Sequence, residues 1–435
     1  MHGENVRAAQ QGAPVASTDD NFRSAGPAAL LLMLQAARRD TLATFAAYES
    51  ALTEHKLAVP YSPDLNPPLW ELGHVGWFQA HWLARNAERH CGAQANPQAP
   101  RLPLRQASLV AGADAWYDSS QVPHDTRWQL PLPGAQATRA ALAATLDESL
   151  ALLQDCADLA HAADPHARNT VLYFHRLCLA HEDMHHEAAV YMAQALGIHL
   201  PDPRLQHREL PPPGPALQGP AQSCTLGAAR PEGFAFDNEC GTQQHTLPER
   251  SIDNQVLRWR DYLPFVEDGG YASARWWPGR AAVWRAALQQ STSGQAAPRY
   301  LRRAGAHWQQ WRHGRWQPLN LDQAACHLTA FEADAWCRWA GRRLPTEAEW
   351  EQAARSPPGL FNWGAVWEWT VSSFEPYEGF VAHPYRDYSA PWFGSRRVLR
   401  GASLATPLRL RDVRYRNFYP PERNDIFAGF RSCAL

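Results

Sequence analysis

The run His181-Glu182-Asp183-Met184-His185 sets two imidazoles at positions i and i+4. On a helix that spacing brings both to one face about a turn apart, close enough to ligate a single metal ion. The same string fits the His-Glu-x-x-His pattern of zinc proteases, in which Glu182 would be the general base. Taken alone, such a pair is as often two polar residues on a half-exposed face. Here His186 and Glu187 extend the cluster, and Leu72-Gly73-His74 offers a third inward imidazole on an earlier helical stretch; His81 and His175 rank below it. Two ligands from one helix and one from another is how metal sites inside helix bundles are built. Three neutral imidazoles leave coordination positions open. They suit zinc as a Lewis acid or ferrous iron activating dioxygen, and ligand type does not separate the two.

The elements that must hold these residues are readable from periodicity. Pro27 opens a helix with Leu31, Leu34, Leu42, Phe45, Tyr48 and Leu52 at near-helical spacing. A second helix is expected over about Leu69 to Asn86. A third is expected over Ala137 to Ala163, with a stripe of Leu142, Leu146, Leu150 or Ser149, Leu153 and Cys156. A fourth runs over Thr170 to Leu196 and stops at Gly197. With a long connection between the second and third, residues 27–200 fit a four-helix bundle with a crossover loop. Residues 201–220 carry Pro201, Pro203, Pro211, Pro212, Pro213, Pro215 and Pro220, which bar regular helix and central strand and mark a linker. From 221 to 435 the chain holds 14 of the 19 tryptophans and short strand-like runs, the pattern of an irregular α+β domain fixed by aromatic packing. Thr329-x-x-Glu332 and Thr346-x-x-Glu349 read as capping boxes, opening helices that end at Gly341 and Arg355. No internal repeat is present.

Composition narrows the chemistry. A chain of 435 residues exceeds what one core usually organises, and a 45% apolar fraction suffices for two. With 41 basic and 43 acidic residues and no basic stripe, nucleic acid and anionic membranes are poor partners, so a small molecule is expected. Lys56 is the sole lysine and lies in Glu-His-Lys-Leu, which excludes a Walker-type phosphate loop and leaves Schiff-base chemistry without a plausible residue. The eight cysteines form no Cys-x-x-Cys, as expected of reduced thiols in the cytoplasm. The first 26 residues lack the order of a signal peptide, and the run Ala28 to Leu34 is too short to span a bilayer, so a soluble cytoplasmic chain with a frayed N-terminus is expected. The sequence does not set the oligomeric state.

Longer motifs carry a resemblance. Gly233-Phe-Ala-Phe-Asp237-Asn238-Glu239, the run Trp339 to Trp350, Val366-Trp-Glu-Trp-Thr370, Arg400-Gly-Ala-Ser403 and Gly429-Phe-Arg431 resemble the formylglycine-generating-enzyme fold, a C-type-lectin-like domain. The first half resembles a DinB-like four-helix bundle. Joined in this order, over nearly the whole chain after about residue 27, the two resemble the ergothioneine-biosynthesis sulfoxide synthases, iron enzymes that couple hercynine to a sulfur donor with dioxygen. The fold implied is α + (α+β), bundle first. The resemblance implies Fe(II) on His74, His181 and His185 and leaves a zinc protease without support. Formylglycine-generating activity is disfavoured, because that family works through paired cysteines near the C-terminus and Cys433 stands alone.

Hercynine is trimethylated histidine, and a quaternary ammonium is commonly received by aromatic faces. Arg416-Asn417-Phe418-Tyr419-Pro420 supplies such faces beside an amide; the resemblance assigns Asn417 to the hercynine site, while Phe418 and Tyr419 read equally as core packing. Members of the family that take γ-glutamylcysteine carry an acidic residue where this chain has Tyr419 and often a glutamine where it has Met184, which argues against a peptide donor. A tyrosine that serves as proton donor near iron in such members maps onto Tyr377 in Pro376-Tyr377-Glu378-Gly379-Phe380. The loop Trp116 to Trp128, with Asp118, Ser119 and Arg127, lies where the chalcogen-donor site is built and resembles the selenoneine synthase branch, which uses a selenosugar. The implied reaction joins hercynine and a selenosugar with dioxygen. Sulfur transfer from cysteine or γ-glutamylcysteine is the alternative, and a ligand-binding module on an inactive bundle a more remote one.

Overall fold

The computed structural model describes residues 21–103, 112–156, 164–292 and 296–435. Four long helices form in the first half: α1 (Pro27–Ala51), α2 (Pro68–Gln79), α4 (Ala135–Asp155) and α5 (Pro165–Leu196), with a short α3 (Ala113–Tyr117) in the crossover between the second and third long helices. α1 packs along α5, and α2 along α4. The second helix continues past Gln79 as a π-type turn, Ala80–Ala84. The fourth begins at Pro165, earlier than expected, because the Asp164 side chain accepts from the His166 backbone N–H and Pro165 occupies the first turn. Gly197 ends it in a left-handed conformation, φ +72°. The last residues expected for the third helix, 157–163, lie outside the described residues.

The buried seam of α4 includes Thr145 and Ser149 as well as Leu142, Leu152 and Leu153. Both hydroxyls donate back to carbonyls of their own helix, Thr145 to Leu142 at 3.0 Å and Ser149 to Thr145 at 2.7 Å, so two polar residues sit in an apolar stripe at little cost.

The second half has short strands only. β1 (Leu217–Gly219), β4 (Arg250–Ile252), β8 (Arg342–Arg343) and β13 (Cys433–Ala434) form one sheet in the order β1-β4-β13-β8. β9 (Trp367–Ser373), β10 (Arg397–Gly401), β11 (Asn417–Tyr419) and β12 (Ala428–Gly429) form another in the order β11-β10-β9-β12, with only β12 parallel to its neighbour. β2 (Gln222–Ala228) pairs with β3 (Gly241–Leu247), and β5 (Leu301–Ala304), β6 (His307–Arg312) and β7 (Arg315–Pro318) make a small meander. β1 begins inside the proline-rich stretch and is an edge strand, the place where prolines are tolerated. Aromatic packing does the work that long strands do elsewhere, with Trp259, Trp277, Trp350, Trp367 and Trp369 fully buried. Both capping boxes form: Thr329 caps α8 (Ala330–Trp339) and Thr346 caps α9 (Glu347–Ala354), with α6 (Trp259–Glu267) and α7 (Arg280–Ser291) preceding them.

The expected frayed N-terminus is corrected for residues 21–26. Phe22 is 1% exposed, and Arg23 makes two bonds to Glu239 at 2.6 and 2.7 Å with Asp412 at 3.2 Å, which fastens the start of the bundle to the second half. Residues 1–20 lie outside the described residues. Among the described residues, no helix is long and apolar enough to cross a membrane.

Candidate metal centre

α2 and α5 bring His74, His181 and His185 together, with one ligand atom from each within 4.8 Å of the others. His74 Nε2 and His181 Nε2 are 3.1 Å apart, the spacing of neighbouring ligands on metal–nitrogen bonds of about 2.1 Å. Each outer imidazole is turned inward by its other nitrogen. His74 Nδ1 is 2.7 Å from the Tyr117 carbonyl and His185 Nδ1 is 2.5 Å from Glu71 Oε2, so both donate outward and keep Nε2 for the centre. The Phe78 ring lies flat on His181, 3.5 Å between centroids, and Trp70 stacks on His74 at 4.7 Å. Burial and the neighbouring His185 push His74 down to about 3 and His181 well below the ordinary histidine value. Both are therefore neutral, the form that offers a lone pair. This donor set fits a divalent transition metal with open positions.

The acidic residues of the same motif face elsewhere. Glu182 accepts from Arg38 Nε at 2.8 Å and Gln79 Nε2 at 3.0 Å inside the bundle. Asp183 pairs with Arg409 at 2.5 Å, and Glu187 accepts from Ser403 Oγ, Thr406 Oγ1 and Trp367 Nε1, all in the second half. His186 Nε2 meets Thr44 Oγ1 at 2.9 Å. Steps of one residue around the helix thus give three faces: the metal, α1, and the second half. Of the lower-ranked histidines, His81 packs between Trp77 and Trp82, and His175 is buried elsewhere along α5.

The loop expected to hold the donor stands beside the centre. Asp118 Oδ1 accepts from Ser120 N at 3.0 Å and Ser120 Oγ at 2.7 Å, while Ser119 lies beside the hydroxyl of Tyr385. Tyr385 reaches the histidines through its ring, 6.2 Å from His181 and 5.0 Å from Phe78. Burial, then Asp387, raise its hydroxyl above the usual tyrosine value. Arg127 is buried: it donates to Asn66 Oδ1 at 2.9 Å and to the Val122 carbonyl at 3.3 Å, and lies 3.9 Å over the Trp70 ring.

The other expected residues are distributed differently. Asn417, Phe418 and Tyr419 form β11, so Phe418 points to the opposite face from its two neighbours. Phe418 stacks on Phe374 at 4.0 Å, Asn417 Oδ1 accepts from the Phe418 backbone N–H at 2.9 Å, and the Tyr419 hydroxyl lies near Tyr191 of α5. Tyr377 packs with Leu226, Leu247 and Ala348, its hydroxyl 3.5 Å from Glu347 and its ring 4.0 Å under the Arg416 guanidinium. Among the described residues no ring contact or hydrogen bond joins it to the three histidines. Sequence reasoning passed over Glu71, Asn66 and Tyr385. Glu71 alone left a signal, lying three residues before His74 on the same helix.

Known proteins carry both halves. Residues 33–189 match the DinB superfamily, and residues 207–363 match the sulfatase-modifying factor enzyme 1-like domain. The hercynine oxygenase of Mycolicibacterium thermoresistibile is 30% identical over 429 residues, covering 85% of this chain and 88% of that protein. The chain belongs to the hercynine oxygenase family. A second hercynine oxygenase, from Mycolicibacterium smegmatis, is 29% identical over 85% of this chain and 91% of its own length. The formylglycine-generating enzyme of Streptomyces coelicolor is 28% identical over 44% of this chain and 82% of its own. This hercynine oxygenase family member is an oxidoreductase, with a DinB helical domain followed by a sheet-containing domain like that of formylglycine-generating enzymes.

Proposed function

We propose that this chain is a selenoneine synthase, joining the imidazole carbon of hercynine to the selenium of a selenosugar with dioxygen as electron acceptor. Its metal would be ferrous iron on His74, His181 and His185, a set that fits, and iron so held supplies dioxygen activation. The observation that carries the reading is the donor loop: Tyr117, whose carbonyl lies 2.7 Å from His74 Nδ1, is followed at once by Asp118, Ser119 and Ser120. Asp387 faces the same loop, its carboxyl raised by burial and then by Asp118. Two neighbouring carboxylates with serine hydroxyls suit a polyol, whose hydroxyl groups donate to them. Arg127, the cation within this loop, is already committed to Asn66, backbone carbonyls and Trp70.

Asn417 and Tyr419 share one face of β11 and are proposed to bind hercynine, Asn417 through its amide and Tyr419 as an aromatic wall for the trimethylammonium group. Phe418 would support that wall from behind through Phe374. The proton donor is proposed to be Tyr385, the hydroxyl-bearing ring in contact with His181, in place of Tyr377. A second reading, sulfoxide formation with a thiol donor, is favoured by the coverage of the hercynine oxygenase relatives.

The test is anaerobic reconstitution with Fe(II), followed by air and hercynine with selenosugar, cysteine or γ-glutamylcysteine in parallel and mass spectrometry of the products. A selenium adduct formed only with iron and the selenosugar is expected. A sulfoxide from a thiol donor alone moves the chain to the sulfur branch, and no product with any donor returns it to a binding module.

A further inference from the structure

The loop that carries the donor residues also holds two of the three candidate ligands. Its Tyr117 carbonyl accepts from His74 Nδ1 at 2.7 Å. Its Arg127 donates to Asn66 Oδ1 at 2.9 Å, Asn66 Nδ2 donates to Glu71 Oε1 at 2.5 Å, and Glu71 Oε2 accepts from His185 Nδ1 at 2.5 Å. A second strand of contacts runs parallel: the Trp116 carbonyl accepts from Trp70 Nε1 at 2.7 Å, Arg127 covers the Trp70 ring, and that ring stacks on His74.

A side-chain amide can accept from a cation on one side and donate to a carboxylate on the other. A direct Arg127–Glu71 pair would cancel the carboxylate's charge beside His185. With Asn66 between them, Glu71 stays a full anion, which orients the His185 ring and raises its basicity toward a metal. The segment carrying Asn66 is locked to the loop by two further bonds, His124 Nε2 to the Leu65 carbonyl at 2.7 Å and Trp128 Nε1 to the Val59 carbonyl at 3.0 Å.

We propose that Asn66 is a positioning residue that couples the order of the 116–128 loop to metal affinity, acting through Glu71 on His185 while Tyr117 acts on His74. Filling the centre stiffens the loop on which the second substrate is received, and a loosened loop releases the metal. The proposal rests on the metal-centre reading and is independent of whether the donor carries selenium or sulfur.

Co(II) serves as probe, because its d–d absorption reports ligand geometry without turnover. Asn66→Ala should weaken Co(II) binding by on the order of 10–100-fold and shift the d–d bands, with the far-UV circular dichroism of the native fold retained. In the wild-type protein, Co(II) should slow amide hydrogen exchange across residues 117–127, and Asn66→Ala should lose most of that protection. The exchange measurement on wild-type protein stands even if the variant does not fold. Unchanged Co(II) affinity and bands in a folded Asn66→Ala protein overturn the coupling, as does a wild-type loop that exchanges equally fast with and without Co(II). A wild-type protein that binds no Co(II) overturns the metal-centre reading and the coupling together.

Discussion

Glu187 accepts a hydrogen bond from Ser403 Oγ at 2.5 Å and thereby ties the helix bearing His181 and His185 to the second half of the chain. Trp367 Nε1 and Thr406 Oγ1 complete the set at 2.8 Å each, and burial raises the carboxyl above its ordinary value. Glu187→Ala strands three buried donors and should cost at least about 2 kcal/mol in urea unfolding, whereas Glu187→Gln keeps an acceptor and should cost less. Metal affinity should fall with stability in the alanine variant, because α5 loses its register against the second half. Equal stability of both variants and wild type would remove Glu187 as the tie.

Glu182 stands where a zinc protease would keep its base, yet it is spent on Arg38 and Gln79 inside the bundle. Glu182→Ala leaves the buried Arg38 guanidinium without its partner and should lose roughly 3–5 kcal/mol. Glu182→Gln should fold, bind Co(II) as wild type does and retain turnover within a few fold. A folded, metal-loaded Glu182→Gln enzyme without activity would give Glu182 a chemical role.

Legibility followed locality. His181 and His185 are legible because their spacing is a property of one helix, and His74 because bundle sites draw a ligand from a second. The two capping boxes are equally local, and both form. Arg127 was readable as a polar loop residue, but its burial over Trp70 depends on α2 and the loop meeting in space. Asn66 and Tyr385 reach the centre only through tertiary approach, and no periodicity marks either. Tyr377 has the local sequence expected of the proton donor and a position under the β2–β3 hairpin, where Gly227 at φ +75° leaves room for its ring. Motif and neighbourhood diverge there because the connection after β9 is irregular and its path is set by aromatic packing.

The two tyrosines therefore make a paired test. Tyr385→Phe removes a hydroxyl that lies beside Ser119, on a ring 6.2 Å from His181, and should lower turnover or shift the ratio of coupled product to unproductive oxidation by about tenfold or more. Tyr377→Phe removes a long contact to Glu347 and should leave turnover and product ratio unchanged, with a small loss in melting temperature. The reverse pattern would return the proton-donor role to Tyr377.

Acid–base linkage is clearest far from the metal, at Glu332. This carboxyl is fully buried as the third residue of α8, closing its capping box, where it accepts from Thr329 N at 2.7 Å and from the Tyr271 hydroxyl. Burial raises it from 4.5 to about 7, against the smaller lowering by those donors. The folded chain thus binds this proton more tightly than the unfolded chain. Its contribution to stability is complete below the unfolded value near 4.5 and is lost as pH rises through about 7. Glu332→Gln keeps an acceptor and titrates nothing, so wild-type stability should decline relative to the variant between about pH 4.5 and 7, by up to about 1.4 kcal/mol per pH unit. Asp183 and Asp237, both raised to about 6 by burial, titrate in both proteins and cancel in the comparison. Urea unfolding at several pH values reads the difference, and parallel curves for the two proteins would show that Glu332 stays ionised in the fold.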